Sequence, residues 1–365
     1  MEVMAAAAER EAAGDDVIHL EVGQPATSAP RGALEAAAHA LTNDRLGYTG
    51  AAGLPALRER IARWYDDKYS LEVEAERVVV TTGASGAFVL TFLAYLDPGD
   101  RVGILEPGYP CYRNDLLAFG AEPVAIPVGA EQGYRPSLGQ LEAALPLKAL
   151  VLASPSNPTG TVLADNDLAS IVAWARDHDV QLIADEIYHG LTYDQPAPTI
   201  LAHTRDAAVV NSFSKYFSMT GWRLGWTVTT VEMAEVLERL AQSLTISAPT
   251  ISQFAALGAF DCEDELQANV TRYAMNRAVL LEGFAQIGLT SLAPADGAFY
   301  IWADVSHLTS DSKELSRRWL SEIGVAVTPG VDFDPVQGHR FVRFSYAGDI
   351  ADMQRAIERL GTWRP

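Results

Sequence analysis

Short apolar runs, several rich in β-branched residues, recur between residues 78 and 228, separated by longer stretches whose apolar positions return every three or four residues. The first kind reads as strands buried on both faces, the second as helices with one apolar side. The runs fall at 78–81, 101–106, 122–126, 149–153, 181–185, 208–211 and 224–228. Their alternation with helical stretches between about 36 and 262 predicts a mainly parallel sheet wrapped by helices. Asp97-Pro98-Gly99-Asp100 marks a turn from a helix into the next strand. Beyond 263 the rhythm changes to a long helix at 263–288, strands at 299–303, 325–328 and 340–346, and a closing helix at 350–360. That pattern reads as a smaller α+β domain. Residues 1–35 offer an amphipathic helix, a short strand at 17–22 and a Gly23-Gln24-Pro25 turn, and are expected to join this smaller domain. The expected organisation is therefore an α/β chain with an N-terminal segment (1–35), a large domain (36–262) and a small C-terminal domain (263–365). No repeat, low-complexity linker or charge run points to a further module.

Composition narrows the function. With 365 residues, 48% of them hydrophobic, the chain can bury a large core and fits a soluble globular enzyme rather than a disordered one. A net charge of −20 argues against nucleic acid and anionic membranes as partners. It also requires local arginines wherever a carboxylate is to be bound. Cys111 and Cys262 are too few for a disulfide framework, which points to a reducing compartment. Residues 1–16 are rich in Ala and Glu and lack the apolar core of a signal peptide and the basic character of a transit peptide. No apolar stretch reaches membrane-spanning length. A cytoplasmic protein is expected.

The chemistry centres on Lys215. It follows the apolar run at 207–210 within Asn211-Ser212-Phe213-Ser214-Lys215, and Trp222-Arg223-Leu224-Gly225-Trp226 comes shortly after. Lysine is rarely buried without a task, and desolvation lowers its pKa until it is a nucleophile able to form a Schiff base. Ser212, Ser214 and Arg223 supply hydroxyls and a fixed cation suited to a phosphate. Taken alone, the lysine also suits a solvated loop. Other segments change the balance. Ser154-Pro155-Ser156-Asn157-Pro158-Thr159-Gly160 lies at the C-terminal end of a strand, where open α/β sheets place their ligands. A second strand ends in Asp185-Glu186-Ile187-Tyr188, where a carboxylate can hold a pyridine nitrogen protonated, or simply cap the next helix. Thr81-Thr82-Gly83-Ala84-Ser85-Gly86-Ala87 opens an apolar helix with small residues and free N–H groups, a cradle for an anion. Arg343 stands inside the apolar strand Phe341-Val342-Arg343-Phe344-Ser345-Tyr346, where its planar fork calls for an anion, either a bound carboxylate or a structural partner.

In order and spacing these segments resemble the class I/II aminotransferases of pyridoxal phosphate fold type I, from about residue 18 to the C-terminus. The resemblance implies pyridoxal 5′-phosphate bound to Lys215, with its phosphate held by Ala84, Ser85, Ser212, Ser214 and Arg223. It implies Tyr109 stacked on the ring, Asp185 at the ring nitrogen, and Asn157 with Tyr188 at the phenolic oxygen. Arg343 and Asn157, with the backbone of Gly23, would hold the substrate carboxylate, and Tyr48 would cross a dimer interface to the neighbour's phosphate. Read without the resemblance, Gly23 suits a plain turn, Tyr109 a structural Gly-Tyr-Pro turn, Tyr188 a core position and Tyr48 an exposed loop. Ala84 and Ser85 stand where Gly and a Lys or other polar residue are commoner in the family.

The implied activity moves an amino group between an L-amino acid and a 2-oxo acid in a ping-pong cycle, with Lys215, Asp185 and Tyr188 as the catalytic set, in a homodimer with shared sites. Lys215 would act as general base and acid at the substrate Cα. A lyase on the same scaffold would share every cofactor residue and stays open at this point. A transcriptional sensor built on such a fold needs an added basic DNA-binding region, and fewer than twenty residues precede the first family strand.

Overall fold

The structure, a computed structural model, describes residues 2–364; Met1 and Pro365, the outer ends of the first and last expected units, lie outside the described residues. Its centre is a seven-stranded sheet formed by β2 (Val78–Thr81), β3 (Arg101–Glu106), β4 (Glu122–Pro127), β5 (Ala149–Ala153), β6 (Gln181–Asp185), β7 (Ala208–Ser212) and β8 (Gly225–Val228), preceded in the chain by the short β1 (Ile18–His19). The spatial order is β2-β8-β7-β6-β5-β3-β4. β7, β6, β5, β3 and β4 run parallel, and β8 runs antiparallel to both of its neighbours. β2 and β7 are buried at every position, as expected for strands covered by helices on both faces.

The single reversed strand matters for the site. A chain leaving β7 at its C-terminal end turns through 213–224 and re-enters the sheet at the same end, so Lys215 and Arg223 both stay there. Close packing of β8 requires glycine at its first position, because a Cβ on Gly225 would lie 2.8 Å from the Asn211 carbonyl oxygen and 2.9 Å from the Ala84 nitrogen. An aromatic cluster fixes the turn. The Phe213 ring lies 4.9 Å from that of Phe217, 5.0 Å from Trp226 and 5.4 Å from Phe260, all of them buried. Each such pair adds about 0.5–1.5 kcal/mol beyond the area it buries, which holds Lys215 on a rigid support.

The remaining strands are β9 (Tyr300–Asp304), β10 (Val325–Ala326), β11 (Thr328–Pro329) and β12 (Phe341–Ser345). β11, β12 and β9 form an antiparallel sheet with Arg343 at its centre, opposite Thr328 on one side and Trp302 on the other. The long helix Glu263–Gln286 packs against the closing helix Ile350–Thr362, with Gly283 in contact with Ile357. Two expectations change in detail. The strand expected at 17–22 is regular only over Ile18–His19, where it pairs in parallel with β10. The strand expected at 325–328 is divided, β10 pairing with β1 and β11 with β12. Its chain changes sheets at Val327, and Pro329 has no N–H to continue a ladder. Among the described residues no helix is long and apolar enough to cross a membrane.

Candidate active site

The C-terminal ends of the parallel strands open on a cavity of about 570 Å³. Gly23, Ala84, Ser85, Tyr109, Asn157, Asp185, Tyr188, Ser212, Ser214, Lys215, Arg223 and Arg343, twelve residues singled out in the sequence, all line it. They arrive on the segments after β1, β2, β3 and β5, at or just after the ends of β6 and β7, and on β12, so seven parts of the chain converge on one space. Tyr48 does not line the cavity of its own chain; it is 82% exposed at the surface.

One end of the cavity is built for a multiply charged anion. Gly83 opens the helix Gly83–Tyr95 with φ +70°, a conformation that glycine adopts without strain. It also leaves room for Arg223, since a Cβ on Gly83 would lie 2.6 Å from Arg223 Nη2. The guanidinium therefore rests against the positive end of a helix, an arrangement that demands negative charge nearby. Among the described residues Arg223 has no carboxylate partner; its Nη1 donates only to the Thr220 carbonyl, at 3.2 Å. Ser212 and Ser214 complete this end, with Ser212 Oγ donating to Ser214 Oγ at 2.9 Å and accepting from the Ser214 N–H at 3.0 Å.

In the middle stand Lys215 and Asp185. Lys215 Nζ donates to the Gly23 carbonyl at 2.6 Å and sits 5.9 Å from the Tyr188 ring centroid and 5.8 Å from that of Phe299. Burial, then the nearby positive charges of Arg343 and Arg223, lower its pKa to about 8, with Asp185 opposing them. The amine thus holds a far larger neutral fraction near neutral pH than an ordinary lysine does. Asp185 is 3% exposed at the end of β6. Its Oδ1 accepts the Ile187 N–H at 3.1 Å and its Oδ2 accepts the hydroxyl of Tyr112. Burial pushes this carboxyl up to about 6, against the pull of Tyr112, Ile187 and Lys215.

The far end carries a single buried cation. Arg343 is buried and has no carboxylate partner among the described residues. Its Nη1 donates to Asn157 Oδ1 at 2.9 Å, and its Nη2 to the Glu21 carbonyl at 2.6 Å and Thr328 Oγ1 at 3.2 Å, while its Nε finds no acceptor. The guanidinium lies between two rings, 4.3 Å from the Tyr300 centroid and 4.6 Å from that of Phe333. Its direct contacts are neutral dipoles and π faces, with Asp332 nearby but not paired with it, which suits it to an anion from outside the protein.

Two participants escape sequence reasoning. Tyr300 Oη shares a 2.8 Å hydrogen bond with Tyr188 Oη, and its ring occupies the space beside Gly23 where a Cβ would collide. In the sequence it is one more aromatic in a buried strand. Tyr112 follows Tyr109 by three residues in Tyr109-Pro110-Cys111-Tyr112, so helical spacing could have placed both on one face.

The arrangement therefore offers a dianion cradle, a buried carboxylate and a nucleophilic amine between them, and a carboxylate clamp opposite. That set fits a phosphate-bearing, ring-nitrogen aldehyde cofactor and an amino-acid substrate. Among the described residues no group of three or more His, Cys, Asp or Glu is placed to hold a metal ion.

The chain matches known proteins along its whole length. The family model for "Aminotransferase class I and II" matches residues 15–360. The chain is 47% identical to a valine–pyruvate aminotransferase of Mycobacterium tuberculosis, over 100% of this chain and 95% of that one. A crystal structure of an aminotransferase from Mycobacterium tuberculosis superposes with a TM-score of 0.97 at 46% identity, covering 100% of this chain and 95% of that chain. One of a putative aminotransferase from Silicibacter pomeroyi gives 0.93 at 49% identity, covering 99% and 95%.

Proposed function

The chain belongs to the class I and II aminotransferases, and on that premise we propose that it moves the amino group of an L-amino acid to a 2-oxo acid with pyridoxal 5′-phosphate as the carrier. The observation that carries this reading is the meeting of Lys215, Asp185, Arg223 and Arg343 in one cavity, two of them cations without a carboxylate partner among the described residues. When bound, the cofactor supplies an aldehyde that takes the amino group and a protonated ring that accepts the electron pair left at the substrate Cα. Arg223, the helix N–H groups at Ala84 and Ser85, and the hydroxyls of Ser212 and Ser214 hold the phosphate. Tyr109 stacks on the ring, Asp185 keeps its nitrogen protonated, and Asn157 and Tyr188 donate to its phenolic oxygen. Arg343, with Asn157 and the Gly23 backbone, orients the substrate carboxylate. Lys215 Nζ would take the proton from the substrate Cα as general base and then carry it as the acid so formed.

The substrate reading follows the charges of the cavity. Among the described residues its lining cations are Lys215, Arg223 and Arg343, each already assigned, whereas Asp115 and Asp332 add negative charge and Val3, Met4, Val22 and Phe333 apolar surface. A second carboxylate would meet acids rather than a spare cation. This supports a small apolar donor, in line with the valine–pyruvate activity of the Mycobacterium tuberculosis relative.

The proposed enzyme is a homodimer. A surface groove of about 620 Å³ adjoins Arg223 and is lined by Pro25, Leu34, Trp222, Pro249 and Ile251. A second copy's exposed Tyr48 suits that groove and would reach the phosphate. Residues 36–262 would carry the cofactor and 263–365, joined by 1–35, the carboxylate clamp; the pairing of β1 with β10 supports that division. Cys111 and Cys262, both free thiols, accord with the cytoplasm.

The test is a half-reaction. Loaded enzyme mixed with L-valine alone is expected to release one equivalent of 2-oxo acid per subunit and stop, then resume when pyruvate is added. Continued turnover with release of ammonia would contradict transamination.

A further inference from the structure

Asp185 accepts a hydrogen bond from Tyr112, a residue that touches neither the substrate clamp nor the anion cradle. Tyr112 is buried on the helix Pro110–Ala118, its ring 5.2 Å from Phe88 and 5.5 Å from Tyr109 in an edge-on contact. These contacts fix the ring, and its hydroxyl reaches Asp185 Oδ2. With Ile187 N–H on Oδ1, the two oxygens carry one donor each, so about half of the four lone-pair positions are filled on a residue that lines the cavity. A hydrogen bond to a carboxylate favours its charged form and fixes its orientation.

We propose that Tyr112 is a positioning residue for amino transfer: its hydroxyl keeps Asp185 ionised and aimed, so that the remaining lone pairs of the carboxylate meet a ring nitrogen in the cavity. The inference rests on the cofactor reading above. Tyr109, the stacking residue, and Tyr112 then act as a pair from one helix turn, the first on the ring face and the second behind the carboxylate.

The groups facing Asp185 are Tyr109 and Tyr112 from this helix, Glu186 and Tyr188 from its own segment, and Lys215 from the turn after β7. Glu186 is buried, hydrogen-bonded to the Ile200 N–H at 2.9 Å and the Thr199 hydroxyl, and pushed up to about 8 by burial, so near neutral pH it is largely uncharged. Lys215 and Tyr112 are therefore the groups that favour the Asp185 anion from across the cavity wall. The hydrogen bond from Tyr112 favours the Asp185 anion more strongly than the charge of Lys215 does.

The experiment follows the Asp185 carboxyl by carbon NMR in cofactor-free enzyme, assigned by its loss in Asp185→Asn. Tyr112→Phe is expected to raise its titration midpoint by roughly one unit, the effect of removing one donor from a buried carboxylate. A fluorinated tyrosine at position 112, a more acidic and stronger donor, is expected to lower it. In the loaded enzyme, nitrogen NMR of the labelled ring is expected to shift toward the unprotonated form in Tyr112→Phe, less than in Asp185→Asn. An Asp185 midpoint that moves in neither variant overturns the proposal, whatever the ring signal does. A ring-nitrogen signal unchanged by Asp185→Asn overturns the cofactor reading and the proposal with it.

Discussion

Lys215 Nζ and the Gly23 carbonyl oxygen are joined by a 2.6 Å hydrogen bond across 192 positions of chain. Gly23 continues from Glu21, whose carbonyl accepts Arg343 Nη2 at 2.6 Å. One short N-terminal segment therefore touches both the amine that would perform the chemistry and the cation that would hold the substrate. Its backbone oxygens orient both groups without neutralising either, which leaves Arg343 free to depress the Lys215 pKa.

The amine should therefore titrate near pH 8 rather than near its ordinary 10.5. Its neutral, reactive form grows as pH rises through the midpoint, so a depressed pKa brings reactivity down to working pH. In cofactor-free enzyme the rate of reductive methylation at Lys215 should be half-maximal near pH 8, and Arg343→Gln should move that midpoint upward. A wild-type midpoint near 10.5 would remove the electrostatic part of the account.

Arg343→Gln should weaken catalysis through loss of the carboxylate clamp. Truncating one partner of a buried charge pair costs about 2–5 kcal/mol, so kcat/KM for an amino acid should fall by roughly 30-fold or more. An amine of the same shape lacking the carboxylate should be a poor substrate for both enzymes, with little further loss in the variant. An equal loss on both substrates would show that Arg343 only supports the fold.

Gly83→Ala tests the anion cradle. The added methyl would stand 2.6 Å from Arg223 Nη2 on a backbone with φ +70°, adding about 1–2 kcal/mol of local strain. Spectroscopic titration should show weaker binding of pyridoxal phosphate and nearly unchanged binding of pyridoxal, which lacks the phosphate. Equal losses for both would place the cradle elsewhere.

Tyr48→Ala and Lys215→Ala should each be impaired alone, and mixing the two should restore activity as subunits exchange, because each mixed dimer regains one intact site. The exchange itself is followed by native mass spectrometry. Verified heterodimers without recovered activity would place Tyr48 outside the neighbour's site.

Much of this architecture is legible in the chain because most strands of the large sheet are buried on both faces and read as short apolar runs, the exposed edge strand β4 excepted. Motifs then follow the strand ends, and Asn157, Asp185 and Lys215 come at the C-terminal ends of β5, β6 and β7, as the rule for open sheets requires. Less legible are the features set by tertiary contact. The reversed direction of β8 leaves no mark on its own residues, since a strand buried on both faces looks alike in either direction. The division of 325–329 between two sheets depends on which partner each end meets. Tyr112 and Tyr300 read as core aromatics because their rings are indeed packed, and only the position of each hydroxyl, against Asp185 and Tyr188, gives them a polar function.

The most direct measurement fixes the cofactor where it is held. Enzyme loaded with pyridoxal 5′-phosphate is reduced with borohydride, digested, and the peptide carrying the cofactor is sequenced by mass spectrometry. A single modified residue is expected, Lys215, in the peptide containing Ser212-Phe213-Ser214. Modification of Lys68, Lys148 or Lys313 with Lys215 untouched would contradict it.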